Sequence, residues 1–110
     1  MLLKDRVLNF IEPMQNRQTI EYFVNENSFW FAYLLKGRFD HAPYNAMIVY
    51  DDSDPDDYYF AVKIGDNVYD ITGVITRQAP EWKSWLHLWH TNLDLAKEID
   101  KTLVKETEYD

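Results

Sequence analysis

The stretch YFAVKIGDNVYDITG at Tyr59–Gly73 decides the fold class. Tyr58 to Ile64 and Asn67 to Ile71 are short runs rich in Val, Ile, Tyr and Phe, the residue types that suit a pleated, half-buried surface. Gly65-Asp66-Asn67 between them reads as a tight hairpin turn, and Thr72-Gly73 as a second turn. An antiparallel meander is therefore predicted. Tyr44 to Tyr50 adds a strand upstream, giving a sheet of three strands, or four with Val74 to Thr76.

Helical spacing takes over on either side of this block. Leu3, Val7, Leu8 and Ile11 predict a helix over Leu2 to Ile11, closed by Pro13. Between Thr19 and Phe39 the apolar residues Ile20, Phe23, Val24, Phe31, Leu34 and Leu35 keep a helical interval. The polar group Asn25 to Ser28 interrupts them as a loop, with Asn27 or Ser28 as N-cap, and Gly37 is expected to end the second helix. After the sheet, Pro80 is expected to start a short helix with Trp82, Trp85, Leu86 and Trp89 on one side. Asn92 then caps a helix from Leu93 to about Lys105 whose buried face is Leu95, Ala96, Ile99 and Leu103. The expected fold class is α+β: N-terminal helices, a small antiparallel sheet of 3 to 4 strands, and C-terminal helices in a single domain spanning 1–110.

Composition narrows the class of protein. At 110 residues, 46% hydrophobic and 16% aromatic, the chain carries enough apolar material for one core and not for two. The absence of cysteine removes disulfides, thiolate catalysis and thiolate metal ligands, and suits a cytoplasmic setting. Lys4, Asp5 and Arg6 break the N-terminal apolar stretch before a signal peptide takes shape. No run approaches the roughly 20 apolar residues of a membrane helix, so no membrane contact is expected.

Charge is distributed unevenly. Residues 1–50 hold 5 acids and 5 bases, whereas residues 51–110 hold 14 acids and 6 bases, so the net charge of -8 resides in the second part. Such a surface repels phosphate backbones and attracts basic partners; direct nucleic-acid binding is not expected. The run Asp51, Asp52, Asp54, Asp56, Asp57 falls at a hairpin position. It reads as a solvated loop that blocks edge association, or as an imitation of duplex phosphate charge, one per roughly 1.7 Å, offered to a basic protein. A calcium loop fits poorly: the sixth position is Asp57 rather than Gly, Pro55 intrudes, and the twelfth is Lys63 rather than Glu.

Trp82, Trp85 and Trp89 read as core or, if exposed, as a partner-binding or self-associating stripe. His87 and His90 have no third ligand marked nearby, so no metal is expected, and nothing implies a cofactor. No Gly-rich phosphate loop or nucleophile elbow is present.

NSFWFAYLLKGRF at Asn27–Phe39, together with YFAVKIGDNVYDITG at Tyr59–Gly73, resembles a group of small bacterial and phage proteins related to papain-like cysteine hydrolases. In that group a Cys begins the first helix, a His opens the strand of the second motif, and an Asp lies near the end of the next strand. The resemblance puts Ser28 at the Cys position, Tyr59 at the His position and Asp70 at the acidic position. It implies a hydrolase frame with a degenerate site, since a serine there needs a general base that tyrosine supplies poorly at neutral pH.

The expectation from these readings is a non-catalytic acidic module for a protein partner with a basic surface. In size and charge it is analogous to phage-encoded inhibitors of nucleic-acid-handling host proteins, the anti-CRISPR and anti-defence type. The alternatives are a minimal amide or ester hydrolase using Ser28 with His87 or His90, and a homo-oligomeric structural protein joined through its tryptophans.

Overall fold

Helix α1 (Leu3–Ile11) buries Val7 and Ile11 on the face that the spacing predicts, and runs into a single 3-10 turn at Glu12–Met14 that accommodates Pro13. The computed structural model describes residues 2–75 and 82–108, with side chains to residue 101. Helix α2 (Arg17–Asn25) is capped by Asn16, whose side chain accepts from the Thr19 N–H at 2.9 Å. Helix α3 (Ser28–Arg38) is capped by Asn27, which accepts from the Trp30 N–H at 3.1 Å. Of the two expected caps Asn27 does the work, and Ser28 is released for another contact. Gly37 does not end α3. It lies inside the helix, which closes one residue later when the Phe39 N–H reaches the carbonyls of Leu35 and Lys36.

Among the described residues the sheet has five strands rather than three or four: β1 (Met47–Asp51), β2 (Tyr59–Ile64), β3 (Asn67–Asp70), β4 (Gly73–Val74) and β5 (Lys83–Ser84). All pairings are antiparallel, in the spatial order β4-β3-β2-β1-β5. Strand β1 starts at Met47 and not at Tyr44, because Tyr44 and Asn45 both donate backbone N–H groups to the His41 carbonyl and Asn45 takes a left-handed φ of 47°. Gly65 holds the β2–β3 hairpin with a φ of 62°. The next turn is Ile71-Thr72, one residue earlier than expected, since Gly73 already pairs with Asp70 as the first residue of β4. The expected strand end at Thr76 and helix start at Pro80 lie outside the described residues, as does the side chain of Leu103.

Helices α4 (Trp85–Thr91) and α5 (Leu93–Glu108) complete the α+β chain. The Ser84 side chain accepts from the Leu86 N–H and starts α4 at Trp85, so Trp82 precedes the short strand β5 and is not part of a helical stripe. No helix among the described residues is long and apolar enough to cross a membrane.

Alternation along the strands gives the sheet two unlike faces. One carries Ile48, Tyr50, Phe60, Val62, Ile64 and Tyr69, aligned by the pairings Ile48↔Val62, Tyr50↔Phe60 and Val62↔Tyr69. These side chains join Phe29, Ala32 and Leu35 of α3 in the core, each fully buried aliphatic contributing about 1.5–3 kcal/mol. The opposite parity places Asp51, Tyr59 and Asp70 on the other face, and Asp51 pairs directly with Tyr59.

Candidate functional site

Asp51 ends β1, Tyr59 begins β2 and Asp70 ends β3, so three strand termini bring these side chains to one end of the sheet. With Ser53, Asp54 and Asp57 of the β1–β2 loop and Thr72 of the β3–β4 turn, they line an open cleft of 490 Å³. Val24, Val74 and Ile75 provide its apolar wall. Asp51 and Asp70 are buried, at 6% and 7% exposure, which two carboxylates tolerate only when their oxygens are satisfied.

Their partners are local. Asp51 Oδ1 accepts from the Ser53 N–H at 3.0 Å. Asp70 Oδ1 accepts from the Thr72 N–H at 2.8 Å and from the Thr72 hydroxyl, while Asp70 Oδ2 accepts from the Tyr59 hydroxyl at 2.5 Å. These contacts fix both carboxylates before any ligand arrives. Thr72 is the member of this network that sequence reading missed, although Asp-x-Thr in a turn is a recognisable signal for a side chain bonding to the backbone two residues on.

The aspartate run divides by role. Asp51 forms the floor, and Asp52 leaves the cleft to accept from Lys83 Nζ of β5 at 2.8 Å. Lys83 holds the Asp52 carboxyl below its ordinary range, chiefly through that hydrogen bond and against a smaller desolvation penalty; His87 adds a weaker favourable charge. Asp54 Oδ1 accepts from the Asp56 N–H at 3.0 Å and shapes the loop. Asp54 and Asp57 line the cleft, whereas Asp56 is exposed and does not. No group of three or more carboxylate or imidazole side chains is arranged to hold a metal ion among the described residues.

Ser28 stands beside this site. Its Oγ accepts from the Phe60 N–H at 3.0 Å, which joins the first turn of α3 to β2 next to Tyr59. A smaller cleft of 160 Å³ contains Ser28, and Tyr59 and Asp57 line both clefts. Of the three positions named from the resemblance, Tyr59 bonds Asp70 and lines the smaller cleft with Ser28, whereas Asp70 is not among the described residues lining that cleft. No imidazole is among the described residues lining the cleft at Ser28, and His87 and His90 are exposed on α4.

The tryptophans divide as well. Trp85 is half-buried between the rings of Phe29 and Phe60, with centroids 4.9 and 5.6 Å away, and Trp89 meets it edge-on at 5.8 Å. Both pack against the core, and Trp82 is half-buried ahead of β5. Comparison with protein-family models, curated proteins and solved structures finds no match to this chain.

Proposed function

We propose that the chain is a non-catalytic module that binds a basic protein, and that the cleft between the β1–β2 loop and the β3–β4 turn receives a lysine or arginine of that partner. The observation that carries this reading is the lining: Asp51, Asp54, Asp57 and Asp70 contribute to it, and no basic side chain is among the described lining residues. A guanidinium or ammonium entering there meets carboxylates already held in place, so little ordering is left to be done on binding. The net charge of -8 adds long-range steering. The target class that fits is a nucleic-acid-handling protein, whose basic groove is built for a polyanion, and the module acts as its inhibitor or regulator in the anti-defence manner.

The test is affinity capture from lysate of the source organism at low and at raised salt, with mass spectrometry of what is retained. A basic nucleic-acid-binding protein held at low salt and released at high salt supports the reading. Capture of nothing, or of a partner indifferent to salt, counts against it.

A second reading, a hydrolase with Ser28 as nucleophile, draws on Tyr59, which bonds Asp70 and shares the smaller cleft with Ser28. Labelling of Ser28 by a fluorophosphonate probe would favour it over the binding module.

A further inference from the structure

Arg6 of α1 and Arg38 in the last turn of α3 line a second open cleft, of 580 Å³, that shares no residue with the acidic one. No carboxylate is among its described lining residues, and neither guanidinium has an ion-pair partner among the described residues. In a chain with 19 acidic and 11 basic residues, two unpaired arginines on one cleft are unexpected. Asp40, the acid nearest Arg38 in sequence, is taken by Lys36 at 2.8 Å.

Aromatic residues contact both arginines. Arg38 Cζ lies 5.3 Å from the Phe39 ring centroid and 6.0 Å from that of Phe10. Arg6 Nη1 donates to the Tyr44 hydroxyl at 3.3 Å. The rings themselves form a chain, Phe10 to Phe39 at 5.7 Å, Phe39 to Tyr44 at 4.8 Å and Tyr44 to His41 at 5.2 Å. This chain spans the cleft and sets the two guanidiniums and His41 around it. Helix-end electrostatics accounts for Arg38, which sits where the α3 dipole favours a cation. It does not account for Arg6, which sits in the first half of α1, where the dipole disfavours one.

We propose that this cleft binds a phosphomonoester carried on a small organic molecule, with Arg6 and Arg38 on the phosphate oxygens and His41 as a further donor. A guanidinium presents a planar fork of donors that matches phosphate, and both exposed forks already contact aromatic residues, Arg38 over the Phe39 and Phe10 rings and Arg6 through the Tyr44 hydroxyl. The cleft is larger than a phosphate ion needs and falls in the range of about 300–1,000 Å³ usual for small-molecule sites. Phe10, Ala42 and Pro43 give the organic part an apolar wall. The acidic surface elsewhere is screened beyond about 8 Å at physiological salt, so it does not prevent local anion binding.

The test is a titration of the full chain with phenyl phosphate and with inorganic phosphate at constant ionic strength, followed by NMR of the arginine Nε–H and histidine side chains. Saturable shifts at Arg6, Arg38 and His41, with phenyl phosphate binding more tightly than inorganic phosphate, are expected. Arg6→Lys and Arg38→Lys keep the charge, lose the fork and should each weaken binding at least tenfold; Arg17→Lys, at an exposed residue paired with Glu21, should not. Non-saturating shifts, no preference for phenyl phosphate, or equal weakening by Arg17→Lys would overturn the proposal. If a lysine variant fails to fold, the wild-type titration with the two probes still decides.

Discussion

The Tyr59 hydroxyl donates to Asp70 Oδ2 across 2.5 Å and joins the start of β2 to the end of β3 on the sheet face away from the helical core. The bond satisfies a carboxylate that is only 7% exposed and fixes one wall of the acidic cleft. Tyr59→Phe deletes the donor and leaves Asp70 to Thr72 alone. The expected loss is about 2 kcal/mol, in the range for a hydrogen bond to a charged group. Denaturant melts check it, and an unchanged midpoint would show that the bond carries no weight.

Ser28→Ala leaves the Phe60 N–H without its side-chain acceptor at a residue only 4% exposed. A buried donor left unmade costs about 1–3 kcal/mol, so this substitution should lower stability while binding to a basic partner persists. Parallel melts and binding measurements on the variant distinguish this structural role from a catalytic one.

Tyr69 is fully buried, and its hydroxyl has no hydrogen-bond partner among the described residues; the Asn67 side chain lies near it without reaching bonding geometry. Tyr69→Phe removes an unsatisfied polar atom and should stabilise the fold by about 1 kcal/mol. A fall in melting temperature would contradict this.

Burial also pushes the Tyr69 phenol above its ordinary value of 10.0, and that of Tyr50 likewise, the latter aided by the Asp52 charge. The folded state therefore holds these protons when the unfolded chain releases them. The contribution of these tyrosines is intact below pH 10.0 and falls as pH rises beyond it, and Tyr69→Phe should flatten that alkaline limb. The acid side has the opposite sign. Lys83 lowers the Asp52 carboxyl below 3.8, so the pair stabilises the fold above that pH and is lost as pH falls through the depressed value. Lys83→Met should lower the melting temperature at neutral pH and converge with wild type in acid. Because both partners are about a third exposed, raised salt should narrow the difference.

The elements most legible in the sequence are those whose pattern is set by a single period. Val7 and Ile11 on α1, and Phe60, Val62 and Ile64 on β2, point where their spacing says they must. Lys83-Ser84 has no such pattern: it is a strand only because β1 offers it a partner, Val49 to Ser84 and Tyr50 to Lys83, and local propensity carries no trace of that pairing. The misplaced start of β1 has a similar cause, since the turn at His41–Asn45 uses backbone bonds to one carbonyl and a left-handed Asn that a Val- and Tyr-rich run does not announce. At the site, the run of aspartates was visible as charge but not as a division of labour. That Asp52 belongs to Lys83, that Asp54 shapes its own loop and that Asp51 joins Asp70 beneath the cleft depend on strand register, which no local window contains.

On the proposed function, the Asp54 and Asp57 carboxylates face a basic partner over the buried pair Asp51 and Asp70. The decisive experiment is the affinity for the captured partner as a function of salt, for wild type and for the double variant Asp54→Asn, Asp57→Asn. Both substituted residues are exposed, so the fold should be retained. Wild type is expected to bind with an affinity that falls steeply as salt rises, and the variant to bind at least tenfold more weakly at low salt with a shallower dependence. Equal affinity and an equal salt slope for the two proteins would contradict it and place the interface elsewhere on the chain.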